Sequence, residues 1–429
     1  MKTIKFLVVF ITIYFVSVSA SNAFAQSTSV FTTGLTAPTK IITAGQSSLL
    51  VAEAGTMTPN QGRISLVNRG SGARQTLIGG LPSGINLAEG QPAPSGPSGL
   101  KLNGLKLYVT IAQGDAVLPG GRGGLQVNPN PATPLNDSIL EMTLPADYEA
   151  LASGFTLSFS DQNSMVGGGT VTLLNAEGKT LAVRMVANLP DWKREPAPNL
   201  PQYNVRASNV FGIELANGNL YAVDASFNQL YKINPATGVY ETFVVFPPKP
   251  NPLPFGPPFS EAVPNNVRVY GNRLLVSHLT GFPFAPGVSE VREVNLADGS
   301  HRNFVGGLTS AMDILPVAIP GAYDLFFVLE FSANMLGNPT PPGRLKLYRF
   351  LKSDDLNTEG DVDPVVLVSN LISPTSMARD AETGDLFVTE IFTGRIIRVS
   401  ATVNPNTQLT NSGGQDVCQP CSFPLGKQN

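Results

Sequence analysis

Histidine, cysteine and tryptophan are almost missing from this 429-residue chain, which has two, two and one of them. A cysteine-based zinc site would have to be completed from Cys418 and Cys421 with His278 and His301, which leaves no surplus of ligands. Charge is scarce as well, at 14% of residues, and that excludes a coiled coil or a polyelectrolyte tail. The formal net charge is -3 and no stripe of Lys and Arg interrupts it, the wrong balance for a nucleic-acid binder. Catalytic signatures are lacking too: there is no Gly-x-Ser-x-Gly elbow, no phosphate loop and no His-x-x-x-His pair. The run Gly120 to Gly124 sits in a proline-flanked loop without strand-to-helix context, so it reads as a flexible connection.

Long hydrophobic runs are confined to the first 25 residues. Lys2 and Lys5 precede an apolar run from Phe6 to Val18, followed by Ala23-Phe24-Ala25. That is the pattern of a signal peptide over residues 1–25, cleaved before Gln26. The run is too short for the ~20 residues a membrane helix needs, and no second one follows. The expected mature protein is therefore secreted, periplasmic or extracellular, without a membrane span. At the other end, residues 406–429 form a tail with Cys418-Gln419-Pro420-Cys421. In an oxidising compartment this pair reads as a local disulfide; a redox dithiol would need a strand-to-helix junction, whereas Pro424 follows.

What the chain has in quantity is apolar residues, 42%, together with 42 glycines and 36 prolines: the composition of a folded, turn-rich protein. One pattern recurs, in which two apolar or aromatic residues, a β-branched or small one and one more residue lead usually to an acid. It appears as Leu49 to Glu53, Leu107 to Ile111, Leu220 to Asp224, Leu274 to His278, Phe326 to Glu330 and Leu386 to Glu390. About ten residues upstream of most copies, Pro or Gly marks another strand, as at Pro38, Pro97, Gly212, Pro264 and Pro374. Third strands follow, clearest at Arg63 to Leu66, Gln229 to Ile233, Arg344 to Tyr348 and Arg395 to Val399, and a fourth leads into the next unit.

Four antiparallel strands per unit make the blade of a β-propeller, an all-β fold. The motif ends at 53, 111, 224, 278, 330 and 390, so one interval is about twice the others. We therefore expect six blades over residues 26–405 with an insertion at about 145–180, and seven blades as the alternative. An N-terminal strand pairing into the last blade would remove the open sheet edge. No amphipathic helix is expected beyond a turn or two near Asp147 to Ala152. The proline tract Phe246 to Pro254 reads as a stiff connection between blades, or else as a polyproline ligand.

Antiparallel pairing puts the ends of the second strands on the same face as the starts of the first. Glu53, Asp224, His278, Glu330 and Glu390 should share that face with Lys40, Asn266, Asp313 and Ser376. Such a rim is the candidate ligand-binding site. Its oxygens could hold Ca²⁺ or another divalent cation, with Asp313, Asn266, Glu330 and Glu390 as candidate ligands; alternatively each acid accepts backbone N–H bonds from its own turn. Asp313 stands where sibling strands carry Gly, Asn, Ser or Lys, so it should face the channel mouth. His278 replaces the acid of the other copies and is a candidate base. His301 reads as a hairpin-turn residue.

The chain also resembles the ScyD/ScyE family of secreted bacterial propellers. The match rests on Val186 to Leu189, Asn209 to Gly212, Phe246 to Pro248, Ala262 to Pro264, Leu279 to Phe284, Thr309 to Asp313 and Leu329-Glu330, about half of the chain. The resemblance implies an exported, six-bladed, NHL-like propeller and brings no assigned catalytic residues. Three functions follow as expectations. The first is a monomeric binding scaffold whose funnel face engages a small molecule or a protein. The alternative is a metal-dependent lactone hydrolase of the gluconolactonase-like type. A third resembles the quinone-dependent sugar dehydrogenases, with His278 as the base.

Overall fold

The computed structural model describes residues 26–88, 91–321, 323–352 and 364–401. The leader and the Cys418/Cys421 tail lie outside these residues. Six antiparallel sheets form six blades, and six is the count that holds over seven.

Blade 1 consists of Pro38–Ala44, Ser48–Glu53, Gly62–Asn68 and Arg74–Leu81. Blade 2 has Pro97–Asn103, Lys106–Ile111, Ser138–Thr143 and Thr180–Asn188, and blade 3 has Val210–Ala216, Asn219–Asp224, Gln229–Ile233 and Tyr240–Val245. Blade 4 runs through Pro264–Tyr270, Arg273–His278, Ser289–Asn295 and His301–Leu308. Blade 5 is built of Ala311–Ala318, Tyr323–Glu330, Gly343–Leu351 and Val365–Leu371. Blade 6 contributes Pro374–Arg379, Leu386–Glu390 and Arg395–Val399, and its fourth strand is the N-terminal Thr28–Thr32.

The long interval inside blade 2 hides no seventh blade. After Ser138–Thr143 the chain adds Phe155–Thr156, parallel to Arg74–Leu81 of blade 1, and Thr170–Leu174, a fifth strand on blade 2. Between them lies an α-helix, Phe159–Val166, which the sequence pattern did not suggest. It is short and local in origin: the Ser158 hydroxyl accepts from Asp161 N, and the Asp161 carboxylate accepts from Ser158 N at 2.8 Å, a capping box. Gln162 pins it by accepting from Thr133 Oγ1 at 2.7 Å and donating to Asn60 Oδ1 at 3.0 Å.

The apolar motif is buried on both faces because each blade is sandwiched between two others. Leu49, Leu50, Val51 and Ala52 are all fully inaccessible. Accordingly the core divides into six seams, one between each pair of neighbouring blades, instead of one central mass. Alternate residues of a second strand feed alternate seams, so Leu49 and Val51 pack toward blade 6 while Leu50 and Ala52 pack toward blade 2.

Polar bonds complete the seams near the axis. Every first strand starts with a bulge, and in four blades the side chain just after the first residue donates to the first carbonyl of the next blade. Thr39 Oγ1 reaches Pro97 O at 2.8 Å, Ser98 Oγ reaches Val210 O at 2.9 Å, Asn265 Nδ2 reaches Ala311 O at 3.1 Å and Thr375 Oγ1 reaches Pro38 O at 3.0 Å. The last of these joins the final blade to the first. Thr375→Val keeps the shape but strands a buried carbonyl, so it should cost about 1–3 kcal/mol. A fall in urea midpoint at unchanged m-value is the expected reading.

Candidate functional site: the axial channel

The acids that end the second strands lie on one edge of the disk, opposite the first residues of the inner strands. They are not free for a ligand. Glu53 accepts from Thr36 N at 2.5 Å and Arg63 Nη2 at 2.7 Å, and Asp224 from Ser208 Oγ at 2.7 Å and Phe227 N at 2.9 Å. Glu330 accepts from Thr309 N at 2.8 Å and from Arg344 Nε at 2.9 Å, and Glu390 from Ile372 N at 2.6 Å and Thr393 Oγ1 at 2.7 Å. Each acid reaches back to the turn that delivers the chain into its own blade. Together they fasten the connections, the second of the two roles expected for them.

His278 occupies the same position in blade 4 with a different outcome. It is buried, and neither ring nitrogen has a hydrogen-bond partner. Phe246 meets it edge-on at 4.5 Å between ring centroids, and Glu290 Oε1 is 3.9 Å from Nδ1. Burial, then Lys249, Arg292 and His301, push its pKa well below the usual imidazole range. A neutral, enclosed ring is poorly suited to serve as a base for an outside substrate. His301 begins the fourth strand of blade 4 and accepts from Arg292 Nε at 2.9 Å through Nδ1.

Polar chemistry gathers on the axis instead. Period-two alternation turns two residues of each inner strand inward, forming two stacked rings. The first ring is Lys40, Gly99, Gly212, Asn266, Asp313 and Ser376. Glycine is needed at 212 because a Cβ there would come within 2.7 Å of Asn266 Cα. Asp313 is fully buried and accepts from Arg268 Nε at 3.0 Å and Nη2 at 2.7 Å, from Ser376 Oγ at 3.0 Å and from Met377 N at 3.1 Å. Lys40 Nζ stands 3.7 Å from Asp313 Oδ2 and donates to Asn266 Oδ1 at 2.8 Å. Arg268 Nη2 also donates to Met377 O at 2.7 Å. This cluster plugs the channel toward the face that carries the acids.

Burial would raise the Asp313 carboxyl, but Arg268 and then Lys40 outweigh it and hold the pKa below the usual carboxylate value. The same geometry works against Lys40: burial first, and Arg268 second, lower its pKa to about 7 despite the attraction of Asp313 and Glu214.

The second ring is Ile42, Lys101, Glu214, Arg268, Leu315 and Ala378, and all six line a cavity of about 420 Å³. Lys40 and Arg268 form its inner end, and its walls continue through Thr43, Leu102, Ala318 and Arg379, at or one residue before the ends of the inner strands. The cavity therefore opens on the face of the short hairpin turns, opposite the rim expected from sequence. Lys101 and Glu214 pair across its wall. The Arg379 side chain makes no hydrogen bond or ion pair to another described residue, and burial lowers its pKa against the attraction of Asp380.

Of the four residues considered for a divalent cation, Asn266 and Asp313 meet at Lys40, whereas Glu330 and Glu390 stay with their own turns. Two cations already occupy the Asp313 carboxylate, so these donors do not fit a metal ion. Among the described residues no group of three or more His, Cys, Asp and Glu is placed to hold one. What the sequence reading passed over was the second ring. Its signal was a charge inside an apolar strand: Leu100-Lys101-Leu102, Ile213-Glu214-Leu215 and Val267-Arg268-Val269.

No protein-family model matches this chain, and no curated protein matches it. Among solved structures it is similar to the PQQ-bound aldose sugar dehydrogenase of Streptomyces coelicolor, at 15% identity over 88% of this chain and 98% of that one, with a TM-score of 0.45. It is similar to a gluconolactonase of Xanthomonas campestris at 10% identity, over 87% of this chain and 89% of that one, TM-score 0.41. A nutrient binding protein of Bacteroides thetaiotaomicron matches at 9% identity over 85% and 69%, TM-score 0.46.

Two outcomes test the plug. Asp313→Ala leaves Arg268 and Lys40 buried without their counter-charge and should cost about 3–5 kcal/mol in urea unfolding. For Lys40, the folded pKa lies below the unfolded one. Below pH ~7 both states hold the proton and the burial penalty is fully present. Above it the unfolded chain binds the extra proton, so stability should rise from about pH 7 toward ~10, by up to about 1.4 kcal/mol per pH unit. Lys40→Met should flatten that rise relative to wild type.

Proposed function

We propose that this protein is an exported, ScyD/ScyE-like binding propeller that takes a small anionic molecule into its axial channel. Export is read from the leader pattern of residues 1–25, and the family from the motifs around Leu279 to Phe284. The observation that carries the ligand class is Arg379, a cation on the wall of a 420 Å³ cavity with no partner among the described residues. Around it Lys101 pairs with Glu214, while Arg268 and Lys40 share Asp313, so with Arg379 the cations of the cavity outnumber its carboxylates. A cavity of this size holds a ligand of modest dimensions, and its mixed lining of Leu, Ile and Val with a few charges suits binding and orientation. The lactone-hydrolase reading draws no support here, because its four ligand candidates do not assemble. The expected monomer, with no nucleic-acid partner, is consistent with binding inside the ring.

A calorimetric series tests this. Small carboxylates and phosphate should bind, and Arg379→Gln should weaken the best of them by about tenfold or more, the loss of one charge-assisted hydrogen bond. Equal binding of neutral sugars and anions, unchanged in Arg379→Gln, would overturn the reading.

A further inference from the structure

We propose that the ε-amine of Lys40 captures the carbonyl carbon of a small 2-oxo acid in the axial channel as an imine. This rests on the anionic-ligand reading and names its ligand class.

Two cations, Lys40 and Arg268, share one buried carboxylate, Asp313. Arg268 takes it in bidentate fashion, and a guanidinium does not give up its proton. Lys40 is left with a longer contact and a neutral amide, Asn266 Oδ1 at 2.8 Å. The charged groups facing it are Arg268 and Lys101, which oppose its charge, and Asp313 and Glu214, which favour it. With burial, the balance brings its pKa to about 7, so near neutral pH a large share of this lysine carries a free lone pair. A desolvated lysine beside another cation is the recognised recipe for a nucleophilic amine.

Position supplies the rest. Lys40 lies at the inner end of the cavity, and Arg379 and Lys101 line the walls where a carboxylate can be held. Lys101 is the other amine in the cavity, and it is already engaged in an ion pair with Glu214. In the step itself the amine lone pair forms the C–N bond while the carbonyl electrons move to oxygen. The nitrogen gives up both of its protons, the oxygen leaves as water, and a C=N bond remains. Nothing is oxidised or reduced.

The test uses the wild-type chain without its leader, incubated with pyruvate or 2-oxoglutarate and sodium cyanoborohydride, which reduces an imine to a stable secondary amine. Peptide mass mapping should place the adduct on Lys40, about tenfold or more above exposed lysines such as Lys193, because an ordinary lysine is almost wholly protonated at pH ~8. The yield should rise with pH through about 7. Lys40→Arg should abolish it, and because the mapping is done on wild type the result does not depend on that variant folding. Adducts spread over surface lysines, or centred on Lys101, would sink the proposal. Calorimetry without reductant separates the two ideas: 2-oxo acids that bind yet never mark Lys40 refute the imine and leave the anion site standing. If neither acid binds nor marks Lys40, both fall.

Discussion

One buried carboxylate, Asp313, holds four of the six blades in register. It belongs to blade 5, is gripped by Arg268 of blade 4 and by Ser376 and Met377 of blade 6, and faces Lys40 of blade 1 across the axis. A ring of sheets has no single core to centre it, since its apolar contacts are shared out among six separate seams. An ion cluster on the axis supplies what the seams lack, a contact that can be satisfied only when opposite sides of the ring are present together. The cost is an uneven charge count. Two cations for one anion leave a lysine whose proton is weakly held, and the chemistry assigned to the channel grows from that imbalance.

The architecture was largely legible because blade strands have a strong local signature. Leu49 to Glu53 and its five relatives are buried on both faces, so their apolar runs are continuous, and a proline or glycine at the start of five of the six inner strands marks the bulge there. The acid at the end of the motif was legible as a residue type and not as a role: only the fold shows that Glu390 accepts from Ile372 N and Thr393 Oγ1 and so fastens its own turn. The helix Phe159–Val166 escaped because its stability comes from one capping box and from Gln162 and Met165, which pack against distant strands.

The side on which the channel opens could not be read from a strand motif. It follows from unequal connections. The loops 112–137, 189–209 and 279–288 all emerge on the face of the acids, whereas the opposite face has short hairpin turns between first and second strands. Long loops and the Asp313 cluster close one end, and brevity leaves the other open. Fold alone would not have chosen between them, since function resides in the particular side chains a scaffold presents.

The pairing of Thr28–Thr32 with Arg395–Val399 has a bearing on biogenesis. Thr28–Thr32 precedes every other described strand and cannot find its partner until Arg395–Val399 has been made, so blade 6 is the last to be completed. Until then Thr28–Thr32 has no partner strand and is the kind of backbone that recruits foreign strands. Of all the blade strands, Thr28–Thr32 waits longest for its neighbour.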